Sequence, residues 1–216
     1  MKLVVLGASG GVGQQLVMQA VTRGHAVTAV GRTSSNLSAP DGVTVLRGDL
    51  EREEFLCEAF HGRDAVLSSL GLKLPGIAKW HRPERPEFLR ASTDAIVTAM
   101  KREGISRLVA VSSGGVGDSR DIIPTFFKLF VNVTAMRFVF DELEEMERRF
   151  LGSGLDVCIV RPSGLTDEPA TGNAHVTRKF TGRASIPRAD VAAYMLDQVE
   201  RGEFSERTPV ITVTGG

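Results

Sequence analysis

Several residue types are scarce in this 216-residue chain, and each scarcity excludes something. There are two cysteines, Cys57 and Cys158, both in apolar contexts (EFLCEAF and LDVCIVR), so a disulfide-stapled secreted scaffold is excluded. They read as two separate core thiols, with a single disulfide left open. There is one tryptophan, Trp80, and one tyrosine, Tyr194. Neither charge sign is in excess: 26 basic side chains stand against 26 acidic ones, which removes the long-range attraction of a nucleic-acid or acidic-membrane binder. The N-terminal apolar run, Leu3 to Leu6, is too short for a signal peptide or a membrane span, so a cytoplasmic address is expected. His61, His81 and His175 show no metal-ligand spacing, and no metal is expected.

What is plentiful is glycine, 23 residues, and short apolar runs alternating with amphipathic segments. Strands are expected at Leu3 to Leu6, His25 to Val30, Val43 to Arg47, Ala65 to Leu70, Arg107 to Ser112, Leu155 to Val160 and Val210 to Val213. Helices are expected near Val12 to Arg23, Glu51 to Phe60, Glu87 to Glu103, Asn132 to Leu151 and Arg188 to Val199. Strands apolar on both faces, separated by helices, define an α/β class: a Rossmann-like, doubly wound parallel sheet. The whole of 1–216 reads as one domain. Its breaks at 72–86, 114–131 and 163–187 follow strand ends on the carboxyl side of the sheet, where such folds bind ligands.

The sharpest motif is Gly7-Ala8-Ser9-Gly10-Gly11-Val12-Gly13, a G-x-x-G-x-x-G spacing between first strand and first helix. Gly7 permits the turn, Gly10 lets the main chain approach a pyrophosphate, and Gly13 lets helix and sheet pack closely. Amides at the helix start then face the phosphates. The second strand ends Val30-Gly31-Arg32-Thr33-Ser34, without the carboxylate that would accept ribose hydroxyls. Arg32, aided by Thr33, Ser34 or Ser35, can instead pair with a 2′-phosphate, which favours NADPH (NADP+) with NADH bound more weakly. Asp49, before Leu50, is placed for the adenine amino group or for capping the next helix. Ser69, Leu70 and Gly71 should run beneath the cofactor, and Ser112 and Ser113 should face the nicotinamide. Pro162 and Ser163, after the sixth strand, complete a cofactor set of Gly7, Ser9, Gly10, Gly11, Val12, Gly13, Arg32, Thr33, Asp49, Leu50, Ser69, Leu70, Gly71, Ser112, Pro162 and Ser163.

These residues together resemble the atypical short-chain dehydrogenase/reductases, especially the NAD(P)H-binding group of biliverdin IXβ/flavin reductases and NmrA-like proteins. The segments that carry it are GASGGVG at 7–13, Gly31-Arg32, Gly48-Asp49, Val111-Ser112-Ser113, the run 153–162, and the later strings 165–172 and 186–192. The resemblance implies a reductase passing hydride from NADPH to a flavin, bilin, quinone or other small planar conjugated acceptor. It places Ser112, with Ser113 adjacent, in the substrate site as the catalytic candidates.

Two departures from the group matter. The histidine expected after the sixth strand is absent, since the chain reads Arg161-Pro162-Ser163-Gly164. The tyrosine–lysine pair of standard short-chain reductases is absent too: 134–141 reads TAMRFVFD, and Tyr194 lies in the apolar face of the late helix. Ketone–alcohol interconversion by that pair is therefore excluded. A flavin-like acceptor avoids the need, because solvent supplies the proton and the protein supplies stacked, dry positioning. Trp80, Phe126, Phe127 and Phe130 are the candidates to line that slot, although helical spacing suits Phe127 and Phe130 equally to packing.

Among the remaining residues, Asp118 and Asp121 read as loop caps, Arg161 as a brace or a ligand contact, and 141–149 as a long solvated helix. Arg188 with Asp190 reads as the start and cap of the late helix. A serine hydrolase is excluded because Ser112-Ser113-Gly114-Gly115 lacks G-x-S-x-G. The alternatives that stay open are an NmrA-like sensor of the nicotinamide ratio without turnover, and an isomerase or epimerase of nucleotide-linked sugars. The chain reads as a monomer or homodimer, without nucleic-acid or membrane partners.

Overall fold

The structure, a computed structural model, describes residues 1–72 and 87–214. The first half runs β1 (Lys2–Leu6), α1 (Gly11–Thr22), β2 (Ala26–Gly31), β3 (Thr44–Arg47), α2 (Glu53–Phe60), β4 (Ala65–Ser68) and α3 (Phe88–Arg102). The second half runs β5 (Arg107–Val111), a 3-10 turn (Gly117–Ile122), α4 (Thr125–Asn132), α5 (Met136–Leu151), β6 (Asp156–Pro162), β7 (Gly164–Thr166), β8 (His175–Val176), β9 (Ser185–Pro187), α6 (Arg188–Glu200) and β10 (Val210–Thr212). The main sheet has the order β3-β2-β1-β4-β5-β6-β10-β8. All neighbours are parallel except the edge pair of β8 with β10. The chain winds outward from β1 in both directions, and the reversal opens a crevice at the carboxyl ends of β1 and β4, as a doubly wound fold requires.

The apolar runs follow from burial on both faces. In β1, Val4 and Leu6 join the core under α2, α3 and α5, whereas Leu3 and Val5 join the core under α1 and α6. All four are fully buried, and each contributes on the order of 1.5–3 kcal/mol. The same alternation in β6 sends Val157 and Ile159 to one side and Cys158 and Val160 to the other. Both cysteines are free, one in each layer, so no disulfide forms between them.

The elements differ from the sequence reading on the ligand side. Two of the expected breaks carry structure: 114–131 holds the 3-10 turn and α4, and 163–187 holds β7, β8 and β9, with β7 and β9 forming a separate parallel pair. The helix expected from Asn132 starts at Met136 instead, because the chain turns between α4 and α5, where the Thr134 hydroxyl accepts the Met136 amide at 3.3 Å. Trp80 and most of 72–86 lie outside the described residues.

Candidate cofactor and acceptor site

The glycine loop is built by close approaches. Gly7 has φ +74°, and a Cβ there would meet the Ser69 carbonyl oxygen at 2.8 Å. A Cβ on Gly13 would lie 2.2 Å from the Gly7 carbonyl oxygen, so that position admits only glycine while the loop keeps its shape. Gly10 is the N-cap of α1; it offers no capping side chain, and no acidic residue occupies the first turn. The first-turn amides and the positive end of the helix therefore face outward, in the arrangement that takes an anion. These residues fit a dinucleotide pyrophosphate.

Gly11 has a different constraint. A Cβ there would lie 2.6 Å from Cδ and 2.9 Å from Nε of Arg188, which begins α6 and lies across the start of α1. The Arg188 guanidinium pairs with Asp167 at 2.7 Å. Asp190 does not cap α6. Its carboxylate accepts from the Thr171 and Gly172 amides and the Thr171 hydroxyl at 2.8–3.1 Å, which ties the 167–172 loop to α6. The sequence offered Arg188 and Asp190 only as helix-start residues; the packing on Gly11 joins distant parts of the chain and has no local signal.

At the adenosine end, Arg32 is exposed and makes no ion pair among the described residues; its guanidinium lies 6.0 Å from the Phe88 ring. Thr33 and Ser34 are exposed, whereas the Ser35 hydroxyl is spent on the Arg32 carbonyl at 2.6 Å. Asp49 accepts the Glu51 amide at 3.0 Å through one oxygen, leaving the other outward. Leu50 and Leu70 are core residues, 1% and 8% exposed. The Ser69 hydroxyl donates to the Leu6 and Gly7 carbonyl oxygens, so it braces the loop. Among the described residues, nothing lies within 4 Å of a Cβ on Gly71.

At the carboxyl end of β5, Ser112 keeps the ladder through its amide to the Val160 carbonyl at 2.8 Å. Its Oγ is buried without a hydrogen-bond partner among the described residues. The Ser113 hydroxyl donates to the Gly114 carbonyl at 3.3 Å. The Pro162 carbonyl accepts the Gly114 amide at 2.8 Å, and the Ser163 hydroxyl donates to Thr212 at 2.9 Å, so both have structural partners. Phe180 packs where Gly114 leaves room, and Ile123 where Gly115 does. On α4, Phe126 and Phe130 are 63% and 37% exposed, while Phe127 packs inward and stacks on Phe130 at 5.9 Å.

Beside the 3-10 turn lies an ion cluster whose Arg161 and Glu147 side chains are buried. Arg161 is paired with Glu147 at 2.5 Å and 3.0 Å and with Asp118 at 2.5 Å, which makes it a brace between β6, α5 and the 3-10 turn. Asp118 and Asp121 are ion-pair partners, of Arg161 and Lys128, instead of loop caps. Nor is α5 solvated along its whole acidic run, because Glu142 and Glu147 are buried against Arg90 and Arg161. Burial pushes the Tyr194 phenol up to about 12 and the Cys158 thiol up to about 12, so both stay protonated at neutral pH. No group of His, Cys, Asp and Glu suited to a metal occurs among the described residues, and none of their helices is long and apolar enough to cross a membrane.

A parallel sheet reversed at β1, with a glycine-built anion cradle at the crevice, defines a Rossmann-like, dinucleotide-binding domain. The chain matches the NAD(P)H-binding family model over residues 7–201 and belongs to that family. It is 30% identical over 215 residues to an uncharacterised chloroplastic protein of Arabidopsis thaliana, covering 94% of this chain and 74% of that one. Two solved structures share the fold. The anaerobilin reductase ChuY of Escherichia coli O157:H7 superposes with a TM-score of 0.77 at 23% identity, over 98% of this chain and 96% of its own. A short-chain dehydrogenase/reductase of Veillonella parvula in complex with NADP superposes with a TM-score of 0.77 at 18% identity, over 97% and 93%.

Proposed function

We propose that this NAD(P)-binding protein is an NADPH-dependent reductase of a flavin, quinone or similar planar conjugated acceptor. The observation that carries the reading is the Ser112 hydroxyl, buried and without a partner among the described residues at the carboxyl end of β5, the edge at which this fold takes its ligands. A buried hydroxyl without a partner is costly, and a polar atom of a bound ligand relieves that cost. Bound NADPH supplies the hydride. The first-turn amides of α1 hold its phosphates, and Arg32, exposed and without a carboxylate partner among the described residues, takes the 2′-phosphate that distinguishes NADPH from NADH. Ser112 orients nicotinamide or acceptor by a hydrogen bond, the exposed faces of Phe126 and Phe130 provide aromatic surface for a planar acceptor, and solvent supplies the accompanying proton.

The tyrosine–lysine pair is absent from 134–141, and the chain's one tyrosine, on α6, has no part in this scheme. That same observation favours the second reading, a sensor that binds the dinucleotide without turnover. Anaerobic NADPH oxidation with FMN, beside calorimetric titration of NADP+ and NAD+, separates them. The expected result is saturable turnover, with Arg32→Ala weakening NADP+ about tenfold or more and NAD+ little. Binding without turnover across flavins and quinones supports the sensor, and equal losses for the two cofactors remove Arg32 from its role.

A further inference from the structure

Arg188 and Asp167 meet because β7 and β9 run parallel in register, Leu165 opposite Ile186 and Thr166 opposite Pro187, so the next residue of each strand is brought alongside. Asp190, buried and hydrogen-bonded to the 171–172 backbone, fixes the loop that follows Asp167. The Arg188 stem then lies against Gly11, the first residue of α1, where any Cβ would collide with it. A guanidinium beside the positive end of a helix is like-signed with it. The carboxylate that offsets this, Asp167, is 89% exposed, and an ion pair so exposed is weak. It is the sole ion-pair partner of Arg188 among the described residues.

We propose that Arg188 is a phosphate-binding residue of the dinucleotide site, held over the glycine loop by Asp167 until the cofactor's pyrophosphate takes the place of that carboxylate. An anion there is attracted by the α1 amides and by the guanidinium together, whose planar fork matches two phosphate oxygens. Gly11 is glycine, on this account, to let the arginine reach across. The inference rests on the dinucleotide reading and adds that Asp167 competes with the cofactor.

The test is calorimetric titration of NADP+ into the wild type, Arg188→Met, Asp167→Asn and the double variant, with thermal unfolding run on each. Methionine keeps an unbranched stem over Gly11 while removing the charge. Arg188→Met should weaken NADP+ about tenfold or more. Asp167→Asn should tighten it about twofold to fivefold by freeing the guanidinium, and that gain should vanish in the double variant. Adenosine 2′,5′-bisphosphate, which lacks the pyrophosphate, should lose less than NADP+ on Arg188→Met. Unchanged affinity in Arg188→Met, or weaker binding in Asp167→Asn, overturns the proposal while leaving the dinucleotide site standing. Absence of NADP+ binding by the wild type overturns the dinucleotide reading itself, and this inference with it.

Discussion

The two ends of the crevice are made of different materials. At the cofactor end the working parts are backbone: Gly7 and Gly13 hold a loop whose shape follows from approaches no Cβ allows, and Ser69 is spent bracing it. At the end proposed for the acceptor the parts are side chains: a hydroxyl without a partner among the described residues, two exposed rings on α4, and the buried Arg161–Glu147 pair. A backbone cradle recognises what all dinucleotides share and tolerates little change. A side-chain surface on a short helix and short strands can be re-lined while the sheet stays intact, and so it is where the proposed function would set its specificity.

The sharpest way to break that contrast is Gly13→Ala. Its Cβ would fall 2.2 Å from the Gly7 carbonyl oxygen and 2.8 Å from the Ala8 Cα, so loop and helix must separate. The expected cost is about 1–3 kcal/mol of stability, read from urea unfolding. A larger effect is expected on NADP+ affinity, which should fall on the order of 100-fold as the amides leave their positions. Wild-type affinity in a folded Gly13→Ala protein would show that the cradle is not set by backbone contact.

The acceptor end should yield a second large effect at Glu147→Gln, which leaves Arg161 buried with only the exposed Asp118 as a charged partner. Removing one member of a buried pair costs about 3 kcal/mol or more, so the urea midpoint should drop clearly. NADP+ affinity should change little in the folded variant. A loss of affinity as large as that of Gly13→Ala would mean that the two ends are not separable.

The same division separates what the sequence reveals from what it hides. Strands β1, β2, β4, β5 and β6 are legible because burial on both faces leaves unbroken apolar runs, and the glycine loop is legible because its glycines fall within seven consecutive residues between an apolar run and an amphipathic one. The pieces β7, β8 and β9 are two or three residues long, too short to show a period, and their pairing depends on partners far along the chain. The break before α5 contains neither glycine nor proline, so nothing at 133–135 marks it. Charge roles are hidden for a related reason: Glu142 and Glu147 sit in a run that reads as solvated, and only the positions of Arg90 and Arg161 across the fold make them buried partners. Arg188 is the extreme case, since its meaning depends on Gly11 and Asp167 together.

The smallest expected effect sharpens the comparison on one helix. Glu145, two residues before Glu147 on α5, accepts from Arg148 at 2.6 Å and 2.9 Å and from Arg149 at 2.9 Å, and Arg149 also reaches Asp94. The Arg148 hydrogen bonds, reinforced by Arg149 and opposed by burial, hold its carboxyl down at about 2 from an ordinary 4.5. A depressed carboxylate pKa stabilises the folded state above the unfolded value, and that contribution fades as pH falls from about 4.5 towards 2. Because its side chain is 26% exposed and its partners reach solvent, Glu145→Gln should cost less than about 1 kcal/mol at pH 7. The gap between the urea midpoints of wild type and Glu145→Gln should therefore be small at pH 7 and narrow further at pH 3.5. A gap that stays constant over this range would show that Glu145 stabilises α5 by packing and not by charge, and would remove the electrostatic distinction drawn between it and Glu147.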